Sequence, residues 1–125
     1  MIGLLQRVSR AEVRIGVDTI GQIGRGLLVL VAAHRDDTTQ DVTRLAERLL
    51  GYRVFPDDQG RMNLSVRDIR GGLLLVPQFT LTADTRKGTR ASFTKGAAPE
   101  KASDFFDQLV AACGQDLDDV ASGRF

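Results

Sequence analysis

Apolar and polar residues alternate along the first residues of the chain, β-branched side chains are prominent up to Ile15, and Gly16-Val-Asp-Thr19 follows as a turn-like cluster. A period of two sends successive side chains to opposite faces of an extended chain, so this stretch predicts two short strands and a hairpin turn. Ile20–Ile23 and Gly26–Ala33 predict two further strands. The second of these is apolar on both faces, the pattern of a central strand.

The period then changes. Thr38-Thr-Gln-Asp41 has the form of a capping box, in which a hydroxyl and a carboxylate satisfy the free N–H groups of a helix start. Val42, Leu45, Ala46, Leu49 and Leu50 form one apolar stripe at helical spacing, with Arg44, Glu47 and Arg48 mostly off it, and Gly51 marks the end. Arg53-Val-Phe55 and the turn residues Pro56–Gly60 return the chain to extended form before Leu64. Gly72–Leu81 reads as a long apolar strand with a polar end. Pro99 suits the first turn of a second helix, whose stripe is Ala102, Phe105, Phe106, Leu109, Val110 and Cys113. The elements add up to an α/β fold, a mixed sheet with two helices packed on it.

At 125 residues the chain is sized for a single domain spanning 1–125. Its 42% hydrophobic and 26% charged residues are those of an ordinary globular protein. The longest apolar run, Gly26–Ala33, is far shorter than a membrane crossing needs, and the start of the chain lacks the pattern of a signal peptide. A cytoplasmic location without membrane attachment is the expectation. One cysteine, Cys113, and one histidine, His34, exclude an intrachain disulfide and the usual zinc sites, and no cofactor motif is present. No metal and no cofactor are therefore expected.

A formal net charge of +1 argues against nucleic-acid binding by bulk charge, but the charges are segregated. Arg86, Lys87, Arg90 and Lys95 cluster after Asp84, whereas Glu100 and five aspartates between residues 100 and 120 face only Lys101. The basic loop is either a solvated surface or a phosphate contact. Nucleophile elbows, metal-ligand clusters and glycine-rich phosphate loops are absent. Cys113 falls on the apolar face of its helix, as a small core residue does. His34 suits a strand end, with nothing in sequence to pair it with a nucleophile. On the long strand, Gln78 and Thr80 would share one face and Phe79 and Leu81 the other. That face is either a wet strand end or the floor of a ligand pocket whose backbone N–H groups are open to an oxyanion.

Several segments carry a resemblance: Leu5-Gln-Arg-Val-Ser-Arg-Ala-Glu-Val13, Gly24–Leu30, Ala46–Phe55, Met62-Asn-Leu64, Gln78-Phe-Thr-Leu81, Ala83-Asp-Thr85 and Ser92-Phe-Thr-Lys-Gly96. In this order and spacing, over nearly the whole chain, they resemble the D-aminoacyl-tRNA deacylases. The resemblance implies a mainly antiparallel, barrel-like sheet with two helices. It also implies a homodimer with active sites at the subunit interface, binding the acceptor end of aminoacyl-tRNA. The reaction would be hydrolysis of the ester between a D-amino acid and tRNA, a chiral proofreading step, with glycyl-tRNA as a further substrate. The family's Ser-Gln-Phe-Thr motif falls on Pro77, Gln78, Phe79 and Thr80. Gln78, Phe79 and Thr80 are thereby candidate catalytic residues, and Pro77 and Phe125 candidate substrate contacts. Thr80 is either a nucleophile or a residue that positions water and substrate, and the lack of an evident activating group favours the second. The charge of Arg86, Lys87 and Arg90 makes them candidates for tRNA phosphate contacts.

Three departures stand out. Pro77 replaces the family serine, removing a hydroxyl and a backbone N–H, and proline places residue 77 at a strand end, an edge or a bulge. Ala91 stands where the family commonly has proline, which is expected to loosen that loop. Relatives continue past the Gly-Arg-Phe segment into a strand whose Gly-Pro motif excludes L-amino acids, whereas the prolines here are Pro56, Pro77 and Pro99. The expectation is a further C-terminal segment beyond Phe125; the alternative is loss of that filter. A catalytically silent tRNA-binding or dimerisation module on the same fold is the competing function.

Overall fold

The computed structural model describes every residue, Met1–Phe125. Four strands come first, as the alternating pattern predicts: β1 (Ile2–Val8), β2 (Ala11–Ile15), β3 (Asp18–Ile23) and β4 (Gly26–Ala32). Gly16 supplies the positive φ of +61° that the β2–β3 turn needs. Helix α1 (Thr39–Gly51) comes next. At its start the Asp41 carboxylate accepts the Thr38 N–H at 2.8 Å and the Thr38 hydroxyl at 3.3 Å. These bonds, the backbone one first, hold the Asp41 carboxyl below the usual carboxylate range. The short hairpin β5 (Phe55–Pro56) and β6 (Met62–Leu64), strand β7 (Gly72–Pro77), a 3₁₀ turn (Phe79–Thr82), helix α2 (Pro99–Gly114) and strand β8 (Val120–Ser122) complete the chain.

The main sheet has the order β1-β4-β7-β8. Pairing is antiparallel for β1 with β4, β2 with β3 and β5 with β6, and parallel for β4 with β7 and β7 with β8. One face carries Leu27, Val29, Val31, Leu73 and Leu75 into a core shared with Val42, Ala46, Leu49, Leu50, Phe105, Phe106, Leu109 and Cys113 of the helices. On the other face the β2–β3 hairpin folds back, bringing Gly21 against Leu74 and the Ser122 backbone.

Two expectations change. The strand expected over Gly72–Leu81 stops at Pro77, which has no N–H for the ladder. The next amide, Gln78, donates to the Val31 carbonyl at 2.7 Å, after which the chain turns. Strand β8 is not evident in the sequence, because three residues give no period and their pairing with β7 is long-range. Cys113 is fully buried, and that burial, aided by nearby Asp116, pushes its thiol up to about 11, which keeps it unreactive. No helix is long and apolar enough to cross a membrane.

Candidate active site

Parallel β7 delivers Pro77 and Gln78 to the edge of the core, and the 3₁₀ turn wraps Phe79 and Thr80 over it. The expected alternation of faces does not apply in a turn of this kind. Gln78 and Thr80 meet directly instead, with Gln78 Nε2 donating to Thr80 Oγ1 at 2.5 Å. Leu81 N–H donates to the Gln78 carbonyl at 3.3 Å and Ala83 N–H to the Thr80 carbonyl at 3.1 Å. The amides of Phe79 and Thr80, at the start of the turn, have no acceptor within it. These are donors on an exposed ledge.

Beside the ledge, Gln78 and Phe79 line a narrow apolar cavity of about 30 Å³ with Met1, Val31, Ala33 and Phe125 among its other walls. It runs into a wider cleft of about 400 Å³ walled by Pro77, Phe79, Phe93, Pro99, Arg124 and Phe125 among others. The Phe79 ring is 66% exposed and meets Phe93 edge to face at 5.3 Å, so it is a ring presented to solvent and braced from one side. Phe125, 58% exposed, leans on Phe106 at 6.3 Å. Of the expected residues, Pro77, Gln78, Phe79 and Phe125 thus share one continuous cleft. Thr80 stands on its rim, exposed and bonded to Gln78. Arg124 and Phe93, which lie in segments that carry the resemblance but were given no role there, complete the wider part; only the fold brings these distant segments together.

The basic loop lies apart from the cleft lining. Its base is closed by paired backbone bonds between Asp84 and Ser92, at 2.6 and 2.8 Å. The Asp84 carboxylate accepts from Arg86 Nε and Nη2, from the Arg86 N–H, and sits 3.3 Å from Lys95 Nζ. Arg86, through its side chain and then its amide, and Lys95 hold the Asp84 carboxyl well below the carboxylate range, and Asp84 raises the Arg86 guanidinium in return. Arg86 is therefore partly engaged by Asp84 although it is exposed, while Lys87 and Arg90 are exposed and take part in no ion pair. A carboxyl depressed in the folded state contributes order above its unfolded pKa and loses it as pH falls through the folded value. The loop is expected to stay closed down to the ordinary carboxylate range, about pH 4, and to loosen below it. Asp84→Asn should produce the same loosening at neutral pH, read as faster tryptic cleavage after Lys87 and Arg90. Unchanged cleavage would show that the backbone pair alone closes the loop.

His34 is half-buried, its Nδ1 accepting the Asp36 N–H at 3.3 Å, and it meets no hydroxyl or thiol nucleophile. Its neighbour Asp37 accepts the His34 N–H at 2.6 Å and pairs with the Met1 α-ammonium at 2.7 Å, which fixes Met1 as a wall of the narrow cavity.

The sequence profile of the family described as D-Tyr-tRNA(Tyr) deacylase matches residues 4–125. A D-aminoacyl-tRNA deacylase of Alkalilimnicola ehrlichii is 56% identical over the whole of this chain and 83% of its own length. One of Methylococcus capsulatus is 57% identical, with 82% of its length covered. Among solved structures, c-Myc DNA Unwinding Element Binding Protein superposes with a TM-score of 0.92 at 31% identity, over 98% of this chain and 84% of that one. A probable eukaryotic D-amino acid tRNA deacylase, at 21% identity and a TM-score of 0.74, over 91% of this chain and 67% of that one, shares the fold. With a profile running from Leu4 to the last residue and relatives more than half identical, the chain belongs to the D-Tyr-tRNA(Tyr) deacylase family.

Proposed function

We propose that this chain, as a D-aminoacyl-tRNA deacylase, hydrolyses the ester between a D-amino acid and the terminal ribose of tRNA on the ledge formed by Gln78, Phe79 and Thr80. The observation that carries this placement is the pair of unpartnered amides at Phe79 and Thr80, set at the mouth of an apolar cleft. Water adds to the ester carbonyl carbon, the C–O bond to the ribose breaks, and the ribose oxygen takes a proton. Negative charge builds on the carbonyl oxygen meanwhile, where fixed N–H donors stabilise it. The neighbouring ribose hydroxyl organises the attacking water, so the protein needs little acid or base chemistry of its own.

Thr80 fits a positioning role. The only side chain bonded to its hydroxyl is an amide, which cannot take a proton from it. Thr80→Ala should retain deacylation within about tenfold of the parent, the scale of a lost neutral hydrogen bond. Complete loss of turnover with tRNA binding retained would make Thr80 the nucleophile. The exposed Phe79 ring suits stacking of the terminal adenine, and Arg124, with Lys87 and Arg90 farther out, suits acceptor-end phosphates. The outer face of β1 leaves Leu4 54% and Ile2 38% exposed, and a second copy covering these residues fits the homodimer of this reading. The site of action is the cytosol, where tRNA is charged.

Purified protein incubated with D-tyrosyl-tRNA and with L-tyrosyl-tRNA tests the activity against spontaneous hydrolysis. Accelerated loss of the D form alone is expected. Loss of both forms would remove the chiral selectivity, and loss of neither, with saturable tRNA binding, would reduce the chain to a binding module.

A further inference from the structure

We propose that Thr82 is a positioning residue for deacylation, its hydroxyl fixing the peptide unit whose N–H end faces the substrate; this rests on the oxyanion reading of the ledge. Thr82 is only 6% exposed, and it and Ser65 are the polar residues buried in this chain. Burial of a hydroxyl is unfavourable unless it is bonded, and here Thr82 Oγ1 donates to the Phe79 carbonyl at 2.8 Å. That carbonyl and the Thr80 N–H belong to one rigid peptide plane. A proton donated to the carbonyl end therefore fixes the direction of the N–H end. It also polarises the same amide and makes the Thr80 N–H a better donor, as in any chain of hydrogen bonds.

The surroundings are built for this contact. Gly96 passes so close that a Cβ there would lie 2.8 Å from Thr82 Oγ1, and its own N–H is engaged by the Phe93 carbonyl at 3.0 Å. Bare backbone at 96 leaves room for the hydroxyl and closes it off from water. On the front of the turn the Gln78 amide is tied to Val31. Thr82 thus secures the rear of a ledge whose front belongs to the sheet. Pro77 just before it offers no N–H to the same task.

The test compares the parent with Thr82→Val, which keeps the shape and removes the O–H, and Thr82→Ser, which keeps the O–H. Thr82→Val should lower kcat on D-tyrosyl-tRNA about tenfold with KM within about twofold, a fraction of what losing a whole oxyanion donor costs. Thr82→Ser should restore kcat to within about threefold. In parallel, the Thr80 amide proton should shift upfield in the ¹H–¹⁵N spectrum of Thr82→Val and return in Thr82→Ser. An active parent with an unchanged Thr82→Val kcat overturns the proposal. An inactive parent overturns the deacylase reading instead, and the Thr80 amide then decides: no shift in a folded Thr82→Val protein refutes the fixing of this peptide, and a shift reversed by serine upholds it.

Discussion

Gly26→Ala should destabilise the fold by about 3 kcal/mol, the upper part of the range for forced overpacking, read as a lowered urea midpoint at unchanged slope. Gly26 pairs with Gly72 where β4 and β7 begin, and a Cβ at 26 would overlap the Gly72 carbonyl oxygen and lie 2.7 Å from its carbon and nitrogen. The obstacle is backbone on both sides, so no side-chain rotation relieves it. The two strands must separate at the centre of the sheet, where Leu27 and Leu73 are fully buried. Against a total stability of about 5–15 kcal/mol, that is a large share. Gly24→Ala is the matched control, since a Cβ there meets nothing within 4 Å. Equal midpoints for the two variants would refute the close approach of β4 and β7.

Phe79→Ala should have the largest effect on turnover, lowering kcat/KM on D-tyrosyl-tRNA by about 10- to 100-fold, the range that corresponds to about 1–3 kcal/mol for stacking a base on an aromatic ring. The ring is mostly in solvent and braced only by Phe93, so its removal opens little cavity in the core. The melting temperature should accordingly move by less than about 3 °C. A Phe79→Ala protein with the parent's kcat/KM would deny the ring any role in substrate binding. One that unfolds instead would show that the turn depends on the Phe79–Phe93 contact.

Periodicity made the regular elements legible. Strand β4 announces itself by seven apolar or glycine positions in a row, and α1 by its stripe and its Thr38–Asp41 start. The end of β7 was half legible: Pro77 signalled a strand end, yet the apolar run through Leu81 favoured continuing the strand. Tertiary context decided, because the next carbonyl along that edge, Ala33, is taken by the Ala97 N–H at 3.0 Å, and the chain turns after the Gln78–Val31 bond. Strand β8 was hidden, since its partner lies on the other side of α2. In the site, Gln78, Phe79 and Thr80 were legible through resemblance, but the bond between Gln78 and Thr80 required a turn that alternation does not describe. Thr82 carried no signal in the sequence, because its burial depends on the approach of Gly96 from a separate loop.

The parallel arrangement of β4, β7 and β8 means that all three run out of the sheet in the same direction. Ala33 after β4, the turn after β7 and Phe125 after β8 therefore arrive at the same cleft, as ligand sites at the carboxyl ends of parallel strands do. On the proposed function, stability and recognition thereby fall at opposite ends of the same strands. The glycine pair where β4 and β7 begin sets the spacing of the two strands, while Phe79 and Phe125 at the other end are more than half exposed and hold little of the core together. A change in one of these exposed rings is thus felt at the cleft before it is felt in the scaffold.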